Sequence, residues 1–128
     1  MEKDSNTTVE ELKTKVWHFI HERGWDIYHN PKDIAESICI EAGELLERFQ
    51  WFSPHETLTW KSDASKIHYI EQEVADVIIY CLSLANAMGI DLAEAVLKKL
   101  KNNELKYPVD KYRGRAFKKL VNQRYLAS

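Results

Sequence analysis

Two pairs of acidic residues in the sequence have a spacing that could support metal chemistry. Glu41 and Glu44 are three residues apart, and so are Glu73 and Asp76. Residues at i and i+3 share one face of a helix, and each pair flanks an apolar stripe with helical periodicity. If two such helices pack by their stripes, the carboxylates come together and repel one another unless a cation lies between them.

A hard divalent cation would meet that requirement. Carboxylates without His or Cys favour Mg²⁺, with Mn²⁺ as the alternative, over zinc. Mg²⁺ takes oxygen ligands, retains several waters and commonly bridges protein carboxylates to substrate phosphates. The alternative interpretation is that these are ordinary solvated acids on amphipathic helices, because the chain has 20 Asp and Glu residues.

Further residues could bind the other parts of a phosphorylated ligand. Lys99 and Asn103 follow the stripe of Leu92 and Val96, where Lys and Asn seldom occur without a partner. A lysine there suits a phosphate chain, and a lysine that reaches solvent from the helix end is the alternative. Aromatic rings beside the second predicted helix can stack on a nucleobase or simply pack; they are Trp25, His29, Trp51 and Trp60.

Four helices are predicted to position these residues. Four Gly, three Pro and the lack of hairpin dipeptides between alternating runs indicate a mostly helical chain. Periodicity and capping residues predict helices over Thr8 to Glu22, over Pro31 to Gln50, from after Ser62 or Asp63 to Met88, and from Asp91 to Tyr107. Residues 53–61 are predicted to form a loop with a turn of helix. The expected fold class is therefore all-α, a four-helix bundle-type domain.

The third predicted helix indicates that the protein is an oligomer. Its apolar residues lie on nearly every side, and a helix that is hydrophobic all round must be buried all round. Burying it completely is difficult for one four-helix chain, so we expect a homo-oligomer with closed symmetry, either a dimer or a tetramer. A central helix sandwiched within one monomer is the alternative.

Length and composition limit the class of protein. The 128 residues fit one domain, with a core over about residues 8–107 and a basic tail at 108–128. The net charge of −2 provides no global positive field for nucleic acid or an anionic membrane. No signal peptide or membrane span is expected. Cys39 and Cys81 lie in apolar runs without metal-site spacing, so we expect reduced core thiols in a cytoplasmic protein.

Four segments carry a resemblance to a known family. They are EAGE at Glu41 to Glu44, FQW ending at Trp51, EQEVADVIIY ending at Tyr80, and KKLKNNELKYP ending at Pro108. The chain resembles the all-α nucleoside triphosphate pyrophosphohydrolases of the MazG-like superfamily, in particular the dCTP pyrophosphatase branch. The similarity extends over roughly residues 12–120. The family signature is ExxE followed by ExxD, and both elements are present with a spacer of the usual length.

The resemblance implies Mg²⁺-dependent hydrolysis of an NTP or dNTP to the monophosphate and pyrophosphate, in nucleotide-pool housecleaning. It implies that Glu41, Glu44, Glu73 and Asp76 bind the metal, and that Trp25 and Trp51 line the base pocket. It further implies that Tyr80 and Asn103 hold the sugar or base, that Lys99 and Tyr107 contact the phosphates, and that His29 and Lys106 contribute from matching segments. Val16 stands where the dCTP-specific branch has a polar ring, which leaves the preferred base open.

The role of general base and two rival functions also follow from the sequence. Glu44 is expected to be a ligand or the base that orients the attacking water, because Glu47 turns further from the core stripe. A di-iron or di-manganese bundle would need Glu-x-x-His on two helices, whereas Glu44 and Asp76 stand at those positions. The other rival is a non-enzymatic oligomeric helical module that binds a protein partner.

Overall fold

The computed structural model describes residues 1–114, and all regular structure in that range is helical. The α-helices are α1 (Val9–Glu22), α2 (Pro31–Glu47), α3 (Pro54–Leu58), α4 (Ala64–Met88), α5 (Leu92–Lys106) and α6 (Val109–Tyr112). Short 3₁₀ helices span Asp4–Asn6, Trp25–Tyr28 and Thr59–Ser62. The predicted all-α class is confirmed. The chain divides into a unit over Met1–Ile90 and a second unit that begins at Asp91, so the single domain stays a prediction.

Side chains cap the starts of the four long helices. Each cap residue accepts a hydrogen bond from a backbone N–H of the first turn, which would otherwise have no partner inside the helix. The caps are Thr8, Asn30, Asp63 and Asp91. Gly89 ends α4 at a φ of 65°, a left-handed conformation that costs glycine little. These capping residues explain why the sequence predicted the helix starts closely.

Three segments differ from the prediction. Helix α2 ends at Glu47 rather than at Gln50, and its last residues continue as tighter hydrogen-bonded turns. The segment predicted as a loop forms α3 and a 3₁₀ helix, so the expected turn of helix is present. The basic tail begins with α6, which follows Pro108. The rest of that tail, residues 115–128, lies outside the described residues.

In the first unit, α4 packs along α2 and α1. The buried apolar side chains of the described residues are Ile34, Trp60, Leu82 and Ala85. Two long-range hydrogen bonds join the start of α1 to the end of α4. The Asn86 amide donates to the Lys13 carbonyl at 2.9 Å, and the Lys13 ammonium donates to the Ile90 carbonyl at 2.7 Å. These two bonds hold the C-terminal end of α4 against α1.

The expectations about the cysteines and about membrane-spanning helices can be compared with the structure. Cys39 is exposed and Cys81 is half-buried, so the expectation of two core thiols is wrong for Cys39, which α2 turns outward. Within residues 1–114, no single helix is long and apolar enough to cross a membrane, and α4 and α5 reach that criterion only when taken together. The cytoplasmic location stays a prediction.

Candidate metal and nucleotide site

Three of the four predicted acids come together between α2 and α4. Glu41 of α2 and Glu73 and Asp76 of α4 each offer a carboxylate oxygen, and these oxygens all lie within 4.8 Å of one another. Glu73 is buried, Glu41 is half-buried and Asp76 is exposed, so the cluster extends from the helix interface to solvent. The i, i+3 spacing predicted a group of four carboxylates, and the structure brings three of them together.

Glu41 has an unusual environment for a carboxylate. Its Oε2 atom is buried and has no hydrogen-bond partner among the described residues. Burial, the neighbouring Glu44 carboxyl group, and the charges of Asp76 and Glu73 together raise the pKa of Glu41 from 4.5 to about 6, with burial the largest cause. A buried acceptor without a partner is costly, so this oxygen needs either a proton or a cation.

Glu44 lies beside Glu41 and outside the group of three. The Glu44 carboxyl group helps to raise the pKa of Glu41, yet it does not belong to the cluster of oxygens within 4.8 Å of one another. Glu44 is also exposed to solvent. The spacing of the four acids along the chain gave no reason to separate them. In the structure, three carboxylates form the cluster, and Glu44 is an exposed neighbour that water can reach.

Arg48 is part of this site, and the sequence analysis did not identify it. It caps the C-terminal end of α2, and its Nε and Nη2 atoms donate to Glu73 Oε1 at 3.2 and 3.0 Å. The guanidinium also lies 5.0 Å from the centre of the Tyr69 ring. Arg48 continues the α2 stripe of Glu41 and Leu45 by three residues, which is the sequence feature that could have revealed it.

The donor set fits a hard divalent cation. All three clustered groups are carboxylates, which are ligands that Mg²⁺ and Mn²⁺ prefer. The buried Oε2 of Glu41 has no protein partner in the described residues, and Arg48 occupies only one oxygen of Glu73. The residues present therefore leave carboxylate oxygens free to bind a cation of this kind.

Three predicted substrate residues lie close together one turn beyond Asp76. The His29 and Tyr80 rings are nearly parallel, with centres 6.4 Å apart and planes at 10°. His29 Nδ1 is 2.8 Å from the Trp25 carbonyl oxygen, which orients the imidazole. Trp25 packs edge-on against Phe19, and 44% of its surface is exposed. Tyr80 follows Asp76 on α4 by one helical turn, so it shares a face of that helix with the acid.

Trp51 and Trp60 have opposite environments. Trp51 is 84% exposed, whereas Trp60 is 6% exposed. The Trp60 ring stacks on Phe49 at 5.1 Å and meets Phe52 edge-on at 4.9 Å. Trp60 is therefore a packing residue that holds the 3₁₀ helix Thr59–Ser62 against the residues that follow α2, which the sequence left open. Trp51 is the ring that remains available to a ligand.

The other four predicted residues belong to the second unit. Lys99, Lys106 and Tyr107 are exposed and Asn103 is half-buried. The Asn103 carbonyl accepts from the Tyr107 N–H at 2.8 Å, and the Tyr107 ring meets Tyr112 edge-on at 5.3 Å. Their roles toward a nucleotide stay predictions.

The raised pKa of Glu41 predicts how the metal-free protein responds to pH. Because this pKa is about 6 when folded and 4.5 for a free side chain, the folded state binds the proton more tightly than the unfolded chain. Proton binding by Glu41 therefore stabilises the folded state fully below pH 4.5, and this stabilisation is lost as the pH rises through about 6. We expect the melting temperature of EDTA-treated protein to fall over that window relative to the Glu41→Gln variant, measured by calorimetry. Equal pH dependence in both proteins would contradict this assignment.

Known proteins resemble this chain in sequence and in structure. Residues 36–119 match the MazG-like family. The dCTP pyrophosphatase 1 of Mus musculus is 34% identical over 111 residues, which cover 87% of this chain and 65% of the mouse protein. The dCTP pyrophosphatase 1 of Bos taurus is 33% identical over 114 residues, which cover 89% of this chain and 68% of the bovine protein.

A solved structure also resembles this chain. The crystal structure of a pyrophosphatase from Archaeoglobus fulgidus superposes with a TM-score of 0.70 at 44% sequence identity, covering 77% of this chain and 91% of that chain. This chain thus spans about two thirds of its mouse relative and most of the archaeal protein. The family match covers more than half of the sequence and contains all four predicted acids, so the resemblance noted from the motifs is confirmed. The chain belongs to the MazG-like family.

Proposed function

We propose that this protein is a Mg²⁺-dependent nucleoside triphosphate pyrophosphohydrolase that converts a dNTP or NTP to its monophosphate and pyrophosphate. The observation that carries the proposal is the cluster of Glu41, Glu73 and Asp76, in which a buried Glu41 oxygen has no partner in the described part of the chain. Relatives of this chain carry the names dCTP pyrophosphatase and pyrophosphatase, which supports this reaction over other uses of a carboxylate cluster.

Glu41, Glu73 and Asp76 would hold Mg²⁺, or Mn²⁺ in its place. The bound ion supplies charge neutralisation for a triphosphate and fixes its orientation. Glu44 is exposed beside Glu41, so we assign it either as a further ligand or as the base that takes a proton from water. That water adds to the α-phosphorus, the bond from this phosphorus to the bridging oxygen breaks, and pyrophosphate leaves.

The aromatic residues would receive the nucleoside. His29 lies against Tyr80 and Trp25, Tyr80 follows Asp76 by one turn of α4, and the exposed Trp51 ring can stack on a base. We further propose that Lys99, Asn103, Lys106 and Tyr107 contact the sugar and phosphates. The substrate would be dCTP or another dNTP, in nucleotide-pool housecleaning in the cytoplasm, without a nucleic-acid or membrane partner.

The proposal is tested by incubating the protein with each common NTP and dNTP, in Mg²⁺ and in EDTA, with products separated by chromatography. We expect equimolar monophosphate and pyrophosphate from at least one nucleotide, and no product in EDTA. Diphosphate and phosphate as products would place cleavage at another bond. No turnover of any nucleotide would favour the non-enzymatic module that binds a protein partner.

We also propose that the protein works as a homo-oligomer. On α4, the apolar residues Val74, Ile78 and Ile79 are 42%, 48% and 41% exposed. Among the described residues, only four apolar side chains are buried, although 45% of the full sequence is hydrophobic. Apolar surface on this scale is typical of an interface between subunits.

The oligomer proposal predicts the effect of a charge on that face of α4. We expect the wild-type protein to sediment as a dimer or tetramer in analytical ultracentrifugation, and the Ile78→Asp variant to shift toward monomer because a buried carboxylate is costly. Gln72→Asp places the same charge at an exposed polar position of α4 and serves as the control. A monomeric wild-type protein would refute the proposal.

A further inference from the structure

We propose that Arg48 is a positioning residue that holds Glu73 in the orientation needed to bind the metal. This inference rests on the proposed function, because it concerns the same carboxylate cluster. Arg48 has no assigned role from the sequence motifs and lies outside the ExxE and ExxD elements. It would act only through Glu73, which it orients before a cation or nucleotide arrives.

The contact between Arg48 and Glu73 selects one carboxylate oxygen. Two nitrogens of the guanidinium donate to Glu73 Oε1, at 3.2 and 3.0 Å, and neither donates to Oε2. Oε2 is thereby left for another partner. Charge-assisted bonds of this kind are stronger and more directional than neutral ones, so the rotation of the Glu73 carboxylate is restricted.

Because Glu73 is buried, the loss of its contact with Arg48 would be costly. The Glu73 side chain is 11% exposed and Arg48 is 45% exposed, so the pair joins a desolvated acid to a cation that remains near water. A buried carboxylate that loses its partner is strongly unfavourable, so the Glu73 side chain would turn toward water. That movement would remove Glu73 from the group formed with Glu41 and Asp76.

The surroundings of Arg48 fix the guanidinium in turn. It lies 5.0 Å from the centre of the Tyr69 ring and lines a cavity of about 260 Å³ beside Phe52, Trp60 and Lys66. An arginine can stack on a ring and donate in parallel from its planar fork, whereas a lysine offers a single point charge. Lys66 lines the same cavity, but its ammonium lies over the Trp60 and Phe52 rings at 4.3 and 4.8 Å.

The test compares Arg48→Met, Arg48→Lys and Lys66→Met with the wild-type protein. Mn²⁺ binding without nucleotide is measured by the paramagnetic resonance of free Mn²⁺, alongside the rise in melting temperature with Mg²⁺. Groups that orient a metal ligand are typically worth about 10- to 100-fold in metal affinity. We expect about 10-fold weaker Mn²⁺ binding in Arg48→Met, a smaller loss in Arg48→Lys, and wild-type binding in Lys66→Met.

Nucleotide kinetics then separate positioning from direct substrate contact. With saturating Mg²⁺, the Arg48→Met enzyme is expected to recover most of its turnover and a near wild-type KM. A raised KM with unchanged Mn²⁺ binding would overturn the proposal, since Arg48 would then contact the nucleotide. An equal loss of Mn²⁺ affinity in Lys66→Met would also overturn the proposal, because removing either nearby positive charge would then have the same effect. Circular dichroism checks that each variant is folded.

The same measurements keep this inference apart from the proposed function. If the wild-type protein binds Mn²⁺ in an Arg48-dependent way and hydrolyses no nucleotide, the proposed function fails and the positioning role stands. If it hydrolyses nucleotides and Arg48→Met binds Mn²⁺ normally, only the positioning role fails. A wild-type protein that binds no Mn²⁺ would contradict both.

Discussion

Replacing Asp76 with asparagine is expected to lower nucleoside triphosphate turnover at least about 100-fold, because a metal ligand is worth several kcal/mol to the transition state. Asp76 is exposed, so the amide leaves no uncompensated buried group and the fold should survive. Glu41→Gln is expected to have a similar effect on turnover. The measurement is the rate of monophosphate formation at saturating Mg²⁺, with helix content followed by circular dichroism.

Glu71→Gln is the matched control for this prediction. Glu71 lies on the same helix and is exposed, and its substitution removes the same charge. It does not belong to the cluster of Glu41, Glu73 and Asp76. We expect Glu71→Gln to keep wild-type turnover within about twofold, because an exposed charge outside the site is largely screened. Full activity in Asp76→Asn would remove the metal assignment, and equal losses in both variants would indicate a nonspecific charge effect.

The sequence predicted the parts of this site that depend on local geometry. Helical spacing alone places Glu41 and Glu44 on one face and Glu73 and Asp76 on another, and the capping residues Asn30 and Asp63 fix where those helices begin. Local rules therefore account for the helices and for the faces that bear the acids.

The remaining features depend on contacts between distant segments, which periodicity does not encode. Arg48 and Glu73 are 25 residues apart, and their pairing follows from how α2 and α4 pack. Likewise, the burial of Trp60 depends on contacts of its ring with Phe49 and Phe52 and with Lys66 of α4. The separation of Glu44 from the other acids follows from the packed interface as well, since the i, i+3 rule gives both acids of a pair the same face.

Trp51 and Trp60 differ in exposure, so we expect their replacement to have different effects, one on substrate binding and the other on stability. Replacing Trp60 with alanine removes a ring that is 6% exposed from the junction of α2 and α3, and such truncations typically cost about 3–5 kcal/mol. That is a large fraction of the total stability of a small domain. We expect a clear fall in the melting temperature of Trp60→Ala, measured at equal protein concentration and with no nucleotide present.

Trp51→Ala is expected to behave in the opposite way. Because Trp51 is 84% exposed, its loss removes little packing and should leave the melting temperature nearly unchanged. If its ring stacks on the base, the loss is about 1–3 kcal/mol of binding, which raises KM roughly 5- to 150-fold. The two tryptophans thus separate stability from substrate binding in one chain. A wild-type KM in Trp51→Ala would remove Trp51 from the base site, and an unchanged melting temperature in Trp60→Ala would refute its packing role.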